Sequence, residues 1–258
     1  MTERGPWRAP VLWRVLLVLA RILVPLFCRL RVTGDVPDGL RRGPLLLAGN
    51  HIGLFDPIAL AAACRARGLA PRIMVTGGIF RTPLAGPAFR HCGHLRVDRD
   101  RPGTGEVLGQ AIAAIRAGSV LAAYPEGRIS QDPGLWPERP RTGLARIALI
   151  TGATVVPAVQ WGAHEVLAWG GAARIARTLL TAVWRRPVVR VHFGSPVPLD
   201  GLGAEVPGDA QRAADRITAA TIAELRSLRA DEPGLPRHED PTRPLSTARS
   251  FPGTPLGR

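Results

Sequence analysis

His51 and Asp56 lie five residues apart in the stretch NHIGLFDP (residues 50–57), and Pro57 follows the acid directly. An imidazole with a carboxylate partner is the minimal apparatus of a general base: the acid orients the ring and stabilises the imidazolium that forms. Asp before Pro also reads as a helix N-cap, so Asp56 acting as a cap only, with His51 an ordinary loop residue, is the competing account of this pair. A second set of groups suits anion binding. In GHLRVDR (residues 93–99) the two-residue period of a strand puts Gly93, Leu95, Val97 and Arg99 on one face and presents Arg99 at its end. In YPEGRIS (residues 124–130) Glu126 and Arg128 flank Gly127, placing an acceptor and a cationic fork around a turn that exposes backbone N–H groups. Taken singly, each is also what an ordinary loop ion pair or a solvated Arg looks like. The fourth stretch, TVVPAVQWG (residues 154–162), carries Pro157 inside an apolar run, which predicts an edge strand or a bulge there.

These stretches must be held by strand ends. Apolar β-type runs are expected at 44–48, 72–76, 94–98, 119–124, 154–161 and 188–193, alternating with helical patterns at 57–67, 84–91, 105–117, 141–151 and 209–229. That alternation predicts an α/β fold: a single domain with a mixed, mostly parallel sheet flanked by helices, over residues 31–230. Residues 231–258 are Pro-rich, polar and aperiodic, and read as a disordered tail. Residues 1–30 form a separate N-terminal segment. Its stretch 11–30 is apolar but interrupted by Arg14, Arg21 and Arg29, which fall within a quadrant of one another on a helical wheel. One guanidinium stripe on an apolar cylinder suits an amphipathic helix lying in a lipid headgroup plane, with Pro25 kinking or ending it; a buried helix with snorkelling Arg is the alternative. No small-x-small cleavage site follows, which argues against a signal peptide.

Composition narrows the partners. The chain has 258 residues, 46% of them hydrophobic, and all 34 of its basic residues are Arg, against 20 acids, for a net charge of +14. Such a chain favours anionic partners: nucleic acid, an anionic membrane surface or a phosphorylated small molecule. A single Tyr and the lack of a stacking motif or Cys/His finger argue against nucleic acid. Three cysteines without C-x-x-C spacing exclude a disulfide framework and suit a reducing compartment. His91, Cys92 and His94 mimic a metal site but lack a fourth ligand, so a structural role is expected and no metal. There is no G-x-S-x-G for a serine hydrolase.

Taken together, in order and in register, HIGLFD, GHLRVDR, YPEGRIS and VVPAV resemble the glycerophospholipid acyltransferase family, typified by 1-acyl-sn-glycerol-3-phosphate acyltransferases, over residues 31–198. The resemblance implies His51 as general base on an acceptor hydroxyl, with Asp56 polarising it. It implies Gly93 and Arg99 at the acceptor phosphate, Glu126, Gly127 and Arg128 shaping that site, and Pro157 supporting the acyl and acceptor pocket. The implied reaction moves a fatty acyl group from acyl-CoA or acyl carrier protein to 1-acyl-sn-glycerol-3-phosphate, giving phosphatidic acid, at the cytoplasmic face of the cell membrane. No cofactor, metal or covalent enzyme intermediate is implied. Two departures stand out. The usual EG-T-R-S order is here Glu126-Gly127-Arg128-Ile129-Ser130, which leaves the acceptor headgroup open to another lyso-lipid or a glycolipid. Arg141 stands where the family commonly has Lys.

Overall fold

The computed structural model describes residues 7–98, 104–230, 240, 243, 249–252 and 254. In chain order these form α1 (Val11–Phe27), β1 (Arg29–Gly34), β2 (Leu45–Ala48), α2 (Asp56–Ala66), β3 (Arg72–Thr76), α3 (Gly77–Phe80), α4 (Ala85–His91), β4 (Leu95–Val97), α5 (Thr104–Arg116), β5 (Val120–Ala123), α6 (Gly143–Thr151), β6 (Thr154–Trp161), α7 (Ala172–Arg185), β7 (Val188–Phe193) and α8 (Asp209–Leu228). The strands make one seven-stranded sheet in the order β1-β7-β6-β2-β5-β3-β4. Every pairing is parallel except β6 with β7. The α/β, mostly parallel expectation therefore holds.

The central strands are uninterrupted apolar runs because both of their faces are covered. In β2, Leu45 and Leu47 face one core together with residues of α1, α2 and α7. Leu46 and Ala48 face the other, with residues of α5, α6 and α8. Four apolar residues in succession would spoil an amphipathic surface strand; here both sides are interior.

Several expectations change. β1 and α7 lie where no element was expected, and the proposed boundary at residue 30 falls inside β1. Nor do residues 11–27 stand apart from the domain: Trp13, Leu17 and Val24 are buried in the core, and Trp13 Nε1 donates to the Pro71 carbonyl at 2.9 Å. Arg186, just past α7, donates to the Pro25 carbonyl at 2.8 Å and ties the ends of the two helices together. Pro157 is not on an edge, since β6 has neighbours on both sides. It stands at a change of partner: β6 pairs with β2 up to Pro157 opposite Ala48, and with β7 from Ala158 onward. A missing N–H is tolerated where one ladder ends as the next begins. Much of the tail lies outside the described residues, but most of those described are buried. Phe251 joins a buried cluster with Ile52, Trp136 and Trp161, Ser250 bridges to Glu138, and Arg243 is buried.

The placement of Leu17 tests whether α1 belongs to the folded body. Leu17→Ala should cost about 2–5 kcal/mol in denaturant unfolding, the usual result of truncating a buried Leu, whereas a detached surface helix would show almost no change.

Candidate active site

The chemistry-bearing residues gather at the carboxyl ends of β2, β5 and β6, where open α/β sheets place their ligand sites. β2 ends at Ala48, and the chain turns through residues 49–55 into α2. Asn50 extends the ladder past the strand's end: its buried side-chain amide donates to the Gln160 carbonyl at 3.0 Å and accepts from Gln160 N at 2.7 Å. This anchors the turn to β6. Sequence reasoning gave Asn50 no role, although a polar residue directly after a buried strand was the available signal.

Asp56 is wholly buried. Its Oδ2 accepts from His51 Nδ1 at 2.8 Å, from Ile52 N at 2.6 Å and from Gly53 N at 2.8 Å. The cap assignment is corrected here. Asp56 is the first residue of α2 and its carboxylate turns back to the preceding turn, while the position before the helix is Phe55. The positive end of α2 still lies beside the carboxylate. An ionised carboxylate is an acceptor only, so His51 carries its proton on Nδ1, and Nε2 is the ring nitrogen without a hydrogen-bond partner among the described residues. The His51 ring stacks on Tyr124, with centroids 4.3 Å apart. Burial pushes the Tyr124 phenol well above its ordinary value, so that side chain is a neutral platform.

Glu126 supports the same turn from β5. Its Oε1 accepts from His51 N at 2.9 Å and its Oε2 from Glu138 N at 3.1 Å. Burial pushes its carboxyl up to about 8, against the lowering effect of those two N–H groups. Arg128 departs from expectation. Its guanidinium grips Glu138 in bidentate fashion, both contacts at 2.8 Å, and it takes no part in the cavity wall. Arg141 lines the same cavity as His51. Gly127, at φ +72°, lets the Arg141 stem cross it at a distance where a Cβ would sit 3.1 Å from Cδ, and both residues line the cavity.

That cavity has a volume of about 440 Å³ and is walled by Trp13, Leu16 and Ala20 of α1, Pro57, Ile58 and Ala61 of α2, residues 73–76 of β3, Phe89, Val97, Tyr124 and Leu144. His51 and Arg141 are its polar features near the turn; His94 also lines it. Burial, aided by the nearby Arg72 charge, lowers His94 to about 4, and its Nδ1 accepts from Ile73 N at 3.2 Å, a structural task. Gly93 is not part of the wall. At φ +75° it closes α4 at the opposite end of β4. Pro157 lies in β6 behind the turn and does not line the cavity. Arg99 lies outside the described residues.

A family model described as Acyltransferase matches residues 29–161, more than half of the chain and the span that holds His51, Asp56, Glu126 and Arg141. The chain belongs to the acyltransferase family. The crystal structure of the 1-acyl-sn-glycerophosphate (LPA) acyltransferase PlsC from Thermotoga maritima has a similar fold, with a TM-score of 0.61 at 17% identity over 83% of this chain and 80% of that one. No curated protein sequence matches. In this acyltransferase strands β1 to β6, the turn after β2 and the turn after β5 all fall within the matched span, whereas α1 precedes it and α7, β7 and α8 lie beyond it.

The protonation of Glu126 gives a pH test. Its folded value of about 8 lies above its ordinary 4.5, so the fold favours the neutral form. That advantage is complete at low pH and is lost as pH rises toward about 8. Glu126→Gln should cost roughly 1–3 kcal/mol, because an amide cannot accept from both backbone N–H groups. The wild-type advantage over that variant in Tm should shrink as pH rises from 5 to 8. A pH-independent difference would place the ionisation elsewhere.

Proposed function

We propose that this acyltransferase moves a fatty acyl group from a thioester, acyl-CoA or acyl carrier protein, to the free hydroxyl of 1-acyl-sn-glycerol-3-phosphate, giving phosphatidic acid. The observation that carries this reading is the 2.8 Å contact between His51 Nδ1 and the buried Asp56 carboxylate at the edge of a largely apolar cavity. In that arrangement His51 Nε2 accepts the proton of the acceptor hydroxyl as its oxygen attacks the thioester carbon. The tetrahedral intermediate collapses, the C–S bond breaks, and the imidazolium returns the proton to the departing thiolate. Asp56 holds the ring and stabilises the transient cation. The apolar cavity takes an acyl chain, and Arg141, which lines it with His51, takes the acceptor phosphate; Arg128 is engaged by Glu138 outside the wall.

His51→Ala should lower kcat by roughly 10²- to 10⁴-fold, the worth of a positioned general base, in an assay of thiol release from oleoyl-CoA. Arg141→Ala should cost about 10- to 150-fold in kcat/KM for the acceptor, mostly in KM, with the donor KM little changed. Arg128→Ala should instead lower stability and leave acceptor KM near wild type. Full turnover by folded His51→Ala protein would refute the mechanism, and a lipid product other than phosphatidic acid from a panel of lyso-acceptors would replace the acceptor.

The same reading puts the enzyme on the cytoplasmic face of the cell membrane, peripheral or shallowly inserted. Support comes from α1. Opposite its buried side, Val11, Val15, Ile22 and Leu26 are all exposed, while Arg14 and Arg21 form a cationic flank. An apolar outer face with basic residues beside it suits an anionic bilayer surface. Among the described residues no helix is long and apolar enough to cross a membrane. Because α1 belongs to the core, a point variant is a better probe than truncation. Ile22→Glu/Leu26→Glu should abolish co-sedimentation with anionic vesicles while the fold persists; unchanged pelleting would assign binding to another surface.

A further inference from the structure

Arg243 comes from the C-terminal stretch, yet its guanidinium is wholly buried behind the turn that carries His51. It donates to the Ile52 carbonyl at 2.6 Å and also to the Ser130 carbonyl. Ser130 N in turn donates to the His51 carbonyl at 2.7 Å. The turn after β2 and the loop after β5 are thus sewn together by one cationic side chain, which Asp240 holds through an ion pair at 3.3 Å. Arg249, from the same stretch, adds a bond to the Glu126 carbonyl at 3.2 Å.

We infer that Arg243 is a positioning residue for acyl transfer: it fixes the His51 turn against the Ser130 loop and supplies a buried positive charge that compensates Asp56. The inference rests on the reading of His51 as general base. Burial disfavours the charged guanidinium, and the carboxylates of Asp240 and Asp56 act to keep it ionised. Asp56 needs compensation as well, because its Oδ1 is buried without a hydrogen-bond partner.

The experiment compares Arg243→Met and Arg243→Lys in the full chain with wild type and His51→Ala, using oleoyl-CoA and the lyso-acceptor, below the Tm of each protein. Arg243→Met should lower kcat on the order of 10²-fold with donor KM nearly unchanged, as a displaced catalytic turn does. Arg243→Lys keeps the charge but cannot span both carbonyls, so it should restore part of the loss and lower kcat by only about tenfold. A folded Arg243→Met protein with wild-type kcat overturns the inference, and so does a loss that falls on donor KM with kcat unchanged. If Arg243→Met does not fold, Arg243→Lys decides: wild-type kcat in that variant overturns the bridge. Activity in His51→Ala would instead mark failure of the general-base reading, whatever the Arg243 variants do.

Discussion

A single buried carboxylate oxygen organises this site. Asp56 Oδ2 gathers the His51 ring and two backbone N–H groups of one turn, so the tautomer of the imidazole, the path of the chain between β2 and α2 and the ionisation of the acid are one problem with one solution. A buried carboxylate is tolerated only when such partners are supplied. The rest of the surroundings supply them or hold them in place: Asn50 moors the turn to β6, Glu126 fixes the His51 backbone, and Arg243 brings positive charge from the far end of the chain.

Polarity is arranged around this point by depth. Behind the turn lie carboxylates and guanidinium groups with assigned partners; in front lies a cavity whose walls are mainly aliphatic and aromatic. Charge on the polar side is confined by its pairings, so an apolar chain can occupy the other side without meeting an uncompensated ion. The contrast between Arg128 and Arg141 follows from this division. The first is tied to buried Glu138 and lost to the cavity, and the second crosses Gly127 to reach it.

What was legible in the sequence was local. The period of apolar runs placed the strand Thr154–Trp161 at its observed limits, because a doubly covered strand has little choice of composition. The His51–Asp56 spacing announced its own contact, since both residues flank one short turn. What escaped depended on distant partners. β1 reads RLRVTG and exists because β7 offers it an edge, and α7 turns much of its apolar surface to solvent, so neither carries a clear core pattern. Arg128 looked available until Glu138, ten residues on, was found holding it. Arg243 lies in a stretch so rich in Pro and polar residues that composition argued for disorder, and only the fold reveals the carbonyls of Ile52 and Ser130 waiting for it.

One helix serves two environments. The inner side of α1 contributes Trp13, Leu16 and Ala20 to the cavity, while its outer side exposes Val15, Ile22 and Leu26. With lipid against that outer side, the reaction chamber and the bilayer are separated by the width of a single helix. Catalysis then belongs to two dimensions: the quantity that saturates the enzyme is the mole fraction of acceptor in the surface, and diluting the acceptor with inert lipid at constant bulk concentration slows turnover.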